Sequence, residues 1–134
     1  MTSGTIDETM RSYNGAFSAQ DSRAMARHFH VPLLVLWSDG RVRAFNDRPA
    51  LDEFAAEIVA SMRQLDLSRS DVLDLQSREM SPVYGIASWS FERIARDGRS
   101  LGRLSATYAL VRTEAGGWVI AMIMVHSFET LLRL

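Results

Sequence analysis

The sequence predicts an α+β domain, with segregated helices and a strongly bent antiparallel sheet, in the order α-α-β-β-α-β-β-β-β. Three observations carry this. In the first half, apolar residues recur every three to four positions, the period of an amphipathic helix. After Leu67 the chain reads as long strands turned at Asp97-Gly98 and Gly116-Gly117, which are hairpin signals. The 134 residues, 47% apolar and 23% charged, suffice for one domain spanning 1–134 with a single core.

Each element has its own signature. Ile6, Met10, Tyr13 and Phe17 form one helical stripe, and Thr5 with Glu8 has capping-box spacing at its start. A short second helix is capped by Asp21 or Ser22, buries Met25 and Phe29, and ends at Pro32. Leu33 to Trp37 is a dense apolar run, and Asp39-Gly40 after it suits a type I′ hairpin. Arg41 to Phe45 alternates as a half-exposed return strand should. Asp47 caps a third helix with Pro49 in its first turn and Leu51, Phe54, Ile58, Met62 and Leu65 as its inner stripe. Four strands follow: Asp71 to Met80 near an edge, Val83 to Ile94, Leu101 to Arg112 and Trp118 to His126. Phe128 to Leu134 forms a short helix or an extension.

Composition narrows the function. No cysteine is present, which excludes disulfides, thiolate metal sites and cysteine nucleophiles. A net charge of −1 argues against a nucleic-acid binder, which needs a basic excess or stripe. The longest apolar run, Trp118 to Val125, has eight residues, against roughly twenty for a spanning helix. The polar start lacks a secretory pattern. The expectation is a cytoplasmic protein without membrane association. All fifteen cations are arginine. Most fall on outward faces, and codon bias is the plain explanation. The cluster from Arg93 to Arg103 is the one place where an acidic group is expected to dock.

The last strand is apolar on both faces. Trp118, Ile120, Met122 and Met124 alternate with Val119, Ala121, Ile123 and Val125. One face covers the helices. The other needs a cover too, since a large exposed apolar patch is rare on monomers. A second copy of the chain is the expected cover, making a homodimer through the outer sheet face. The alternative cover is the C-terminal segment.

The element order, with Gly-Gly-Trp-Val-Ile opening the last strand and Val-His-Ser closing it, resembles the nuclear-transport-factor-2-like superfamily, above all its ketosteroid-isomerase and SnoaL-like branches. Tyr13, the Asp39-Gly40 hairpin, the Asp47 helix start and Gly116-Gly117-Trp118 carry the resemblance in combination, over nearly the whole chain. It implies a conical fold whose curved sheet wraps the N-terminal helices and leaves a pocket open at one end. It places Tyr13 where ketosteroid isomerases have the tyrosine that donates to the dienolate oxygen. Their carboxylate base falls at Trp37, which cannot move a proton. Their second oxyanion donor falls near Tyr108, and a pocket aromatic at His126.

Two catalytic candidates follow, Tyr13 and His126. The expected ligand pocket comprises Tyr13, Phe17, Trp37, Phe54, Trp89, Tyr108, Met124 and His126, and the expected ligand is a small apolar molecule. Trp89 and Phe91 share one face of their strand, and Ser88, Ser90 and Glu92 share the other. If the second face looks inward, Glu92 is the missing acid or base. Asp39 is a turn residue and a lesser candidate carboxylate. His28 and His30 sit at a helix end, where their side chains diverge, so no metal and no cofactor is expected. Gly98-Arg99-Ser100-Leu101-Gly102 has the nucleophile-elbow pattern but joins antiparallel strands, which rules the elbow out. Two readings remain. One is a SnoaL-like small-molecule binder, with isomerase, lyase or cyclase chemistry on a carbonyl substrate as its catalytic form. The other is a non-catalytic dimeric interaction module with a filled pocket.

Overall fold

A computed structural model describes residues 4–134. Helix α1 (Ile6–Ser18) begins where the Thr5 hydroxyl accepts from the Glu8 amide at 3.1 Å, and α2 (Ser22–Arg27) where Asp21 accepts from Ala24 at 3.1 Å. Helix α3 (Arg48–Gln64) is capped by Asp47, which accepts from Ala50 at 2.9 Å. Each cap satisfies an otherwise orphaned amide. The strands are β1 (Phe29–Leu36), β2 (Val42–Phe45), β3 (Leu67–Glu79), β4 (Tyr84–Ala95), β5 (Ser100–Arg112) and β6 (Trp118–His126). They form one sheet in the order β2-β1-β6-β5-β4-β3. All neighbours are antiparallel except β1 and β6, which run parallel. The sheet is therefore mixed. No helix among the described residues is long and apolar enough to cross a membrane.

Several boundaries differ from the sequence reading. Helix α2 stops at Arg27, and Phe29 and Pro32 belong to β1. There the His28 ring takes over the helix end, its Nδ1–H donating to the Ala24 carbonyl at 2.7 Å. Arg48 ties the α2–β1 junction to α3 by donating to the Ala26 and Phe29 carbonyls, both at 2.8 Å. Leu65 lies outside the buried stripe of α3, and Ala55 and Val59 are inside it.

The expected type I′ hairpin is absent. Type I′ needs positive φ at both central residues, and Asp39 is not among the positive-φ residues. Instead Ser38, Asp39 and Gly40 form a three-residue loop closed by Gly40 N–H to Trp37 (3.0 Å) and Trp37 N–H to Arg41 (2.9 Å). Gly40 takes the left-handed position at φ 92. The β4–β5 and β5–β6 turns repeat this pattern, with Gly98 and Gly116 in the same place.

One irregularity decides which residues face the helices. Register shifts between Ala109 and Leu110 against β6, leaving Ala121 as an unpaired bulge residue. Before it Trp118 and Ile120 point inward; after it Ile123 and Val125 do. A bulge inserts one residue and so reverses the alternation. Met122, Met124 and His126 therefore lie on the outer face.

The C-terminal segment crosses that outer face over β5, β4 and β3. The Ser105 hydroxyl donates to the Phe128 carbonyl (3.1 Å), Leu132 N–H to the Ser88 hydroxyl (3.3 Å) and Leu134 N–H to Gln76 Oε1 (2.8 Å). It buries a polar stripe of Ser88, Ser90, Ser105 and Thr107. Leu34 and Met124, on the β1–β6 side, stay 37% exposed.

Candidate functional site

The inner face of the sheet and helices α1 and α3 enclose an apolar cavity. Two rows of side chains build its floor. Trp89, Ala106 and Val125 are registered across β4, β5 and β6. Tyr108, Ile123 and Val35 form the next row across β5, β6 and β1. Tyr13, Asn14 and Phe17 of α1 and Phe54 and Ile58 of α3 close the other side. Phe54 is fixed by stacking on Phe45 at 4.4 Å. Trp37 stands at the rim, edge-on to Phe54 at 6.3 Å, with the Arg41 guanidinium 4.8 Å over its ring. The cavity measures about 140 Å³. It opens into a groove of about 320 Å³ that shares Phe17, Trp37, Phe54, Ile58 and Arg93 with it.

The polar groups in this wall are chiefly donors. Tyr13 and Tyr108 are buried with ring centroids 6.3 Å apart. Burial pushes the Tyr13 phenol far above its ordinary value, reinforced by Tyr108 and opposed by Arg93. Burial raises Tyr108 to about 12, opposed by the neighbouring Trp89 N–H and by Arg93. Both are therefore neutral hydroxyls at physiological pH. Trp89 Nε1 is buried beside Tyr108, with ring centroids 5.5 Å apart, but completes no well-formed hydrogen bond there. Arg93 enters from β4, and its Nε is likewise buried without an acceptor. Burial lowers its pKa, while the two tyrosines act in the opposite direction. The Asn14 amide donates to the Ser70 carbonyl at 3.0 Å. Among the described residues, no carboxylate and no histidine lies in the cavity wall.

Six of the expected pocket residues are brought together: Tyr13, Phe17, Trp37, Phe54, Trp89 and Tyr108. Met124 and His126 are not, because the bulge at Ala121 turns them outward. His126 instead holds the C-terminal segment. Its Nδ1–H donates to the Thr130 hydroxyl and its Nε2 accepts from Thr107, both at 2.8 Å. Thr107 in turn pairs with Ser88 at 3.1 Å. The open question about β4 resolves with Trp89 and Phe91 inward. Glu92 then faces out, accepting from the Ser100 hydroxyl at 2.7 Å and pairing with Arg103 at 3.6 Å. Asp39 is exposed at the hairpin tip, where the Arg41 amide and guanidinium hold its carboxyl below the usual range. His28 Nε2 bonds Ser12 at 2.9 Å, and His30 Nδ1–H donates to the Pro32 carbonyl at 2.9 Å. Among the described residues no group of three or more His, Asp or Glu side chains gathers as a metal site.

From the sequence, Arg93 reads as one of the surface arginines of its hairpin. Strand parity is the signal that finds it: Arg93 lies two residues beyond Phe91 and four beyond Trp89, on the same face.

A family model described as NTF2-like protein (DUF6841) matches residues 3–128. No curated protein matches. Solved structures share the fold at low identity. A protein of unknown function from Mycobacterium tuberculosis is 22% identical, covering 96% of this chain and 70% of its own, with a TM-score of 0.70. An NTF2-like protein with a cystatin-like fold from Novosphingobium aromaticivorans is 12% identical over 93% of this chain and 80% of its own, TM-score 0.73. Aln2 from a Streptomyces species is 14% identical over 92% of this chain and 89% of its own, TM-score 0.73.

Proposed function

The chain belongs to the NTF2-like family whose model its residues 3–128 match, and from its cavity we propose that it is a small-molecule-binding protein of the SnoaL-like type. The ligand is compact, mostly apolar and carries an oxygen acceptor such as a carbonyl. The observation that carries this reading is a pair of neutral phenols, Tyr13 and Tyr108, set edge-on with ring centroids 6.3 Å apart in the wall of a mostly aromatic and aliphatic cavity. Such a site is apolar with a few convergent polar groups, as ligand pockets are. A cavity of about 140 Å³ is comparable to one of ~150 Å³ that holds benzene, so a one-ring ligand matches the inner chamber.

Turnover is a further step. The phenols can donate to a developing oxyanion. Proton abstraction needs a base with a pKa near the working pH, and the described wall holds no carboxylate or histidine. Binding, with or without oxyanion stabilisation, is thus favoured over ketosteroid-isomerase chemistry.

Saturation-transfer NMR with acetophenone as probe tests the reading. Binding is expected in the natural protein and should weaken at least about fivefold when Tyr13→Phe and Tyr108→Phe are combined. An unchanged affinity in the double variant overturns the reading. The second reading, an interaction module with a filled interior, predicts no probe binding at all.

A homodimer is also part of this proposal. The exposed Leu34 and Met124 on the outer face support a second copy docking along β1 and β6, the half that the C-terminal segment leaves open. A monomeric mass by light scattering at micromolar concentration would refute it.

A further inference from the structure

We propose that the ligand is a monoanionic carboxylate, its apolar body inside the cavity and its carboxylate on Arg93 at the mouth. This rests on the pocket reading above and adds the charge of the ligand.

Arg93 stands where three concavities meet. It borders the inner cavity, the groove at its rim, and a third depression of about 290 Å³ beside Leu67 and Gly102. Its guanidinium lies 5.5 Å from the Phe17 ring centroid and 5.4 Å from that of Phe91. Those contacts leave its buried Nε without an acceptor. Its partner across the sheet is Gly102, so no side chain stands directly opposite it on β5.

Charge accounting points to an anion. Arg93 makes no ion pair among the described residues, and its Nε is buried without an acceptor. The other charged side chains that line these concavities are matched. Arg41 pairs with Asp39 at 2.8 Å and Arg43 with Glu57 at 3.3 Å. Arg103, which borders the third depression, pairs with Glu92 at 3.6 Å. One positive charge is left over, partly stripped of water and flanked by aromatic rings. Leaving a part-buried charge without a partner is costly, and a bound anion removes that cost.

The class of anion follows from the donor geometry. A single guanidinium is a planar fork that matches a carboxylate bidentately. Only one uncompensated charge is present, which suits a monoanion rather than a phosphate dianion. The two phenols cannot supply the missing negative charge, since burial keeps both protonated. The ring or short chain enters the aromatic chamber first, and the carboxylate stays at the mouth.

Isothermal titration with benzoate and with benzamide separates the possibilities. The two probes have nearly the same shape and differ in charge. The natural protein is expected to bind benzoate at least about tenfold more tightly than benzamide. Arg93→Met should erase that preference, bringing benzoate affinity down to that of benzamide measured on the same variant. Arg93→Gln serves as a second neutral variant if the first fails to fold, and Arg93→Lys should restore part of the preference through charge alone. Equal binding of both probes by the natural protein overturns the proposal and leaves the pocket reading standing. A benzoate preference that persists in Arg93→Met and Arg93→Gln also overturns it. Binding of neither probe overturns the pocket reading, and this proposal with it.

Discussion

Filling the cavity tests whether it is real space. Ala106 is 1% exposed and lies on the cavity floor, registered between Trp89 and Val125. Ala106→Leu adds three carbons that point into the chamber. At ~0.8 kcal/mol per buried CH₂ the transfer gain is about 2.4 kcal/mol. Freezing the leucine rotamer costs about 0.5–1 kcal/mol. The net expectation is a gain of about 1.5 kcal/mol, seen as a higher urea midpoint at unchanged m-value. The same variant should lose acetophenone binding, since the added carbons occupy the ligand's place. A fall in stability of about 1 kcal/mol or more would refute the reasoning. That is the range for overpacking a filled core, and it would mean that the wall has no room.

Three other outcomes are expected. Tyr13 and Tyr108 have raised folded-state pKa values, so above pH 10 the unfolded chain loses phenolic protons that the native protein keeps. Stability should hold below pH 10 and then fall by about 1.4 kcal/mol per pH unit per tyrosine as pH rises toward 12; urea titrations in which Tyr108→Phe leaves the slope unaltered would contradict this. Arg48→Met strands the Ala26 and Phe29 carbonyls and should cost about 1–3 kcal/mol in the same assay, whereas a neutral result would show that water replaces the guanidinium. His126→Ala cuts the link from Thr107 to Thr130. Amide exchange at Thr130 and Leu132 should then rise at least about fivefold, the equivalent of one hydrogen bond of ~1 kcal/mol, and unchanged protection would place the hold on the segment elsewhere.

Much of the fold is legible because local signals agree. The caps at Thr5, Asp21 and Asp47 each hold the amide expected of them, and β6 spans Trp118–His126 as its apolar run indicates. The six aromatic pocket residues come together because helical and strand periodicity fix their faces before any packing is known. What escapes depends on long-range register. Nothing in the run Val119-Ile120-Ala121-Met122 marks a bulge, since every residue in it is apolar and fits either face. Only pairing with β5 selects Ala121 as the extra residue, and that choice moves Met124 and His126 out of the pocket. Parallel pairing of β1 with β6 is equally invisible to a hairpin count. Arg93 is a different kind of miss. Its parity with Trp89 and Phe91 is readable, but a charged residue beside a turn reads as surface.

The C-terminal segment behaves as a tethered competitor for the sheet it covers. It leaves β6 at His126 and is pinned at Phe128, Leu132 and Leu134, so almost no free linker separates it from its seat. Short tethers give effective concentrations in the millimolar range. An external partner aiming at the Ser88–Thr107 stripe must outcompete that local supply, while one settling on Leu34 and Met124 meets no such rival. Chains shortened after His126, or extended by a bulky tag that lifts the segment, would therefore report an association strength that the intact chain does not have.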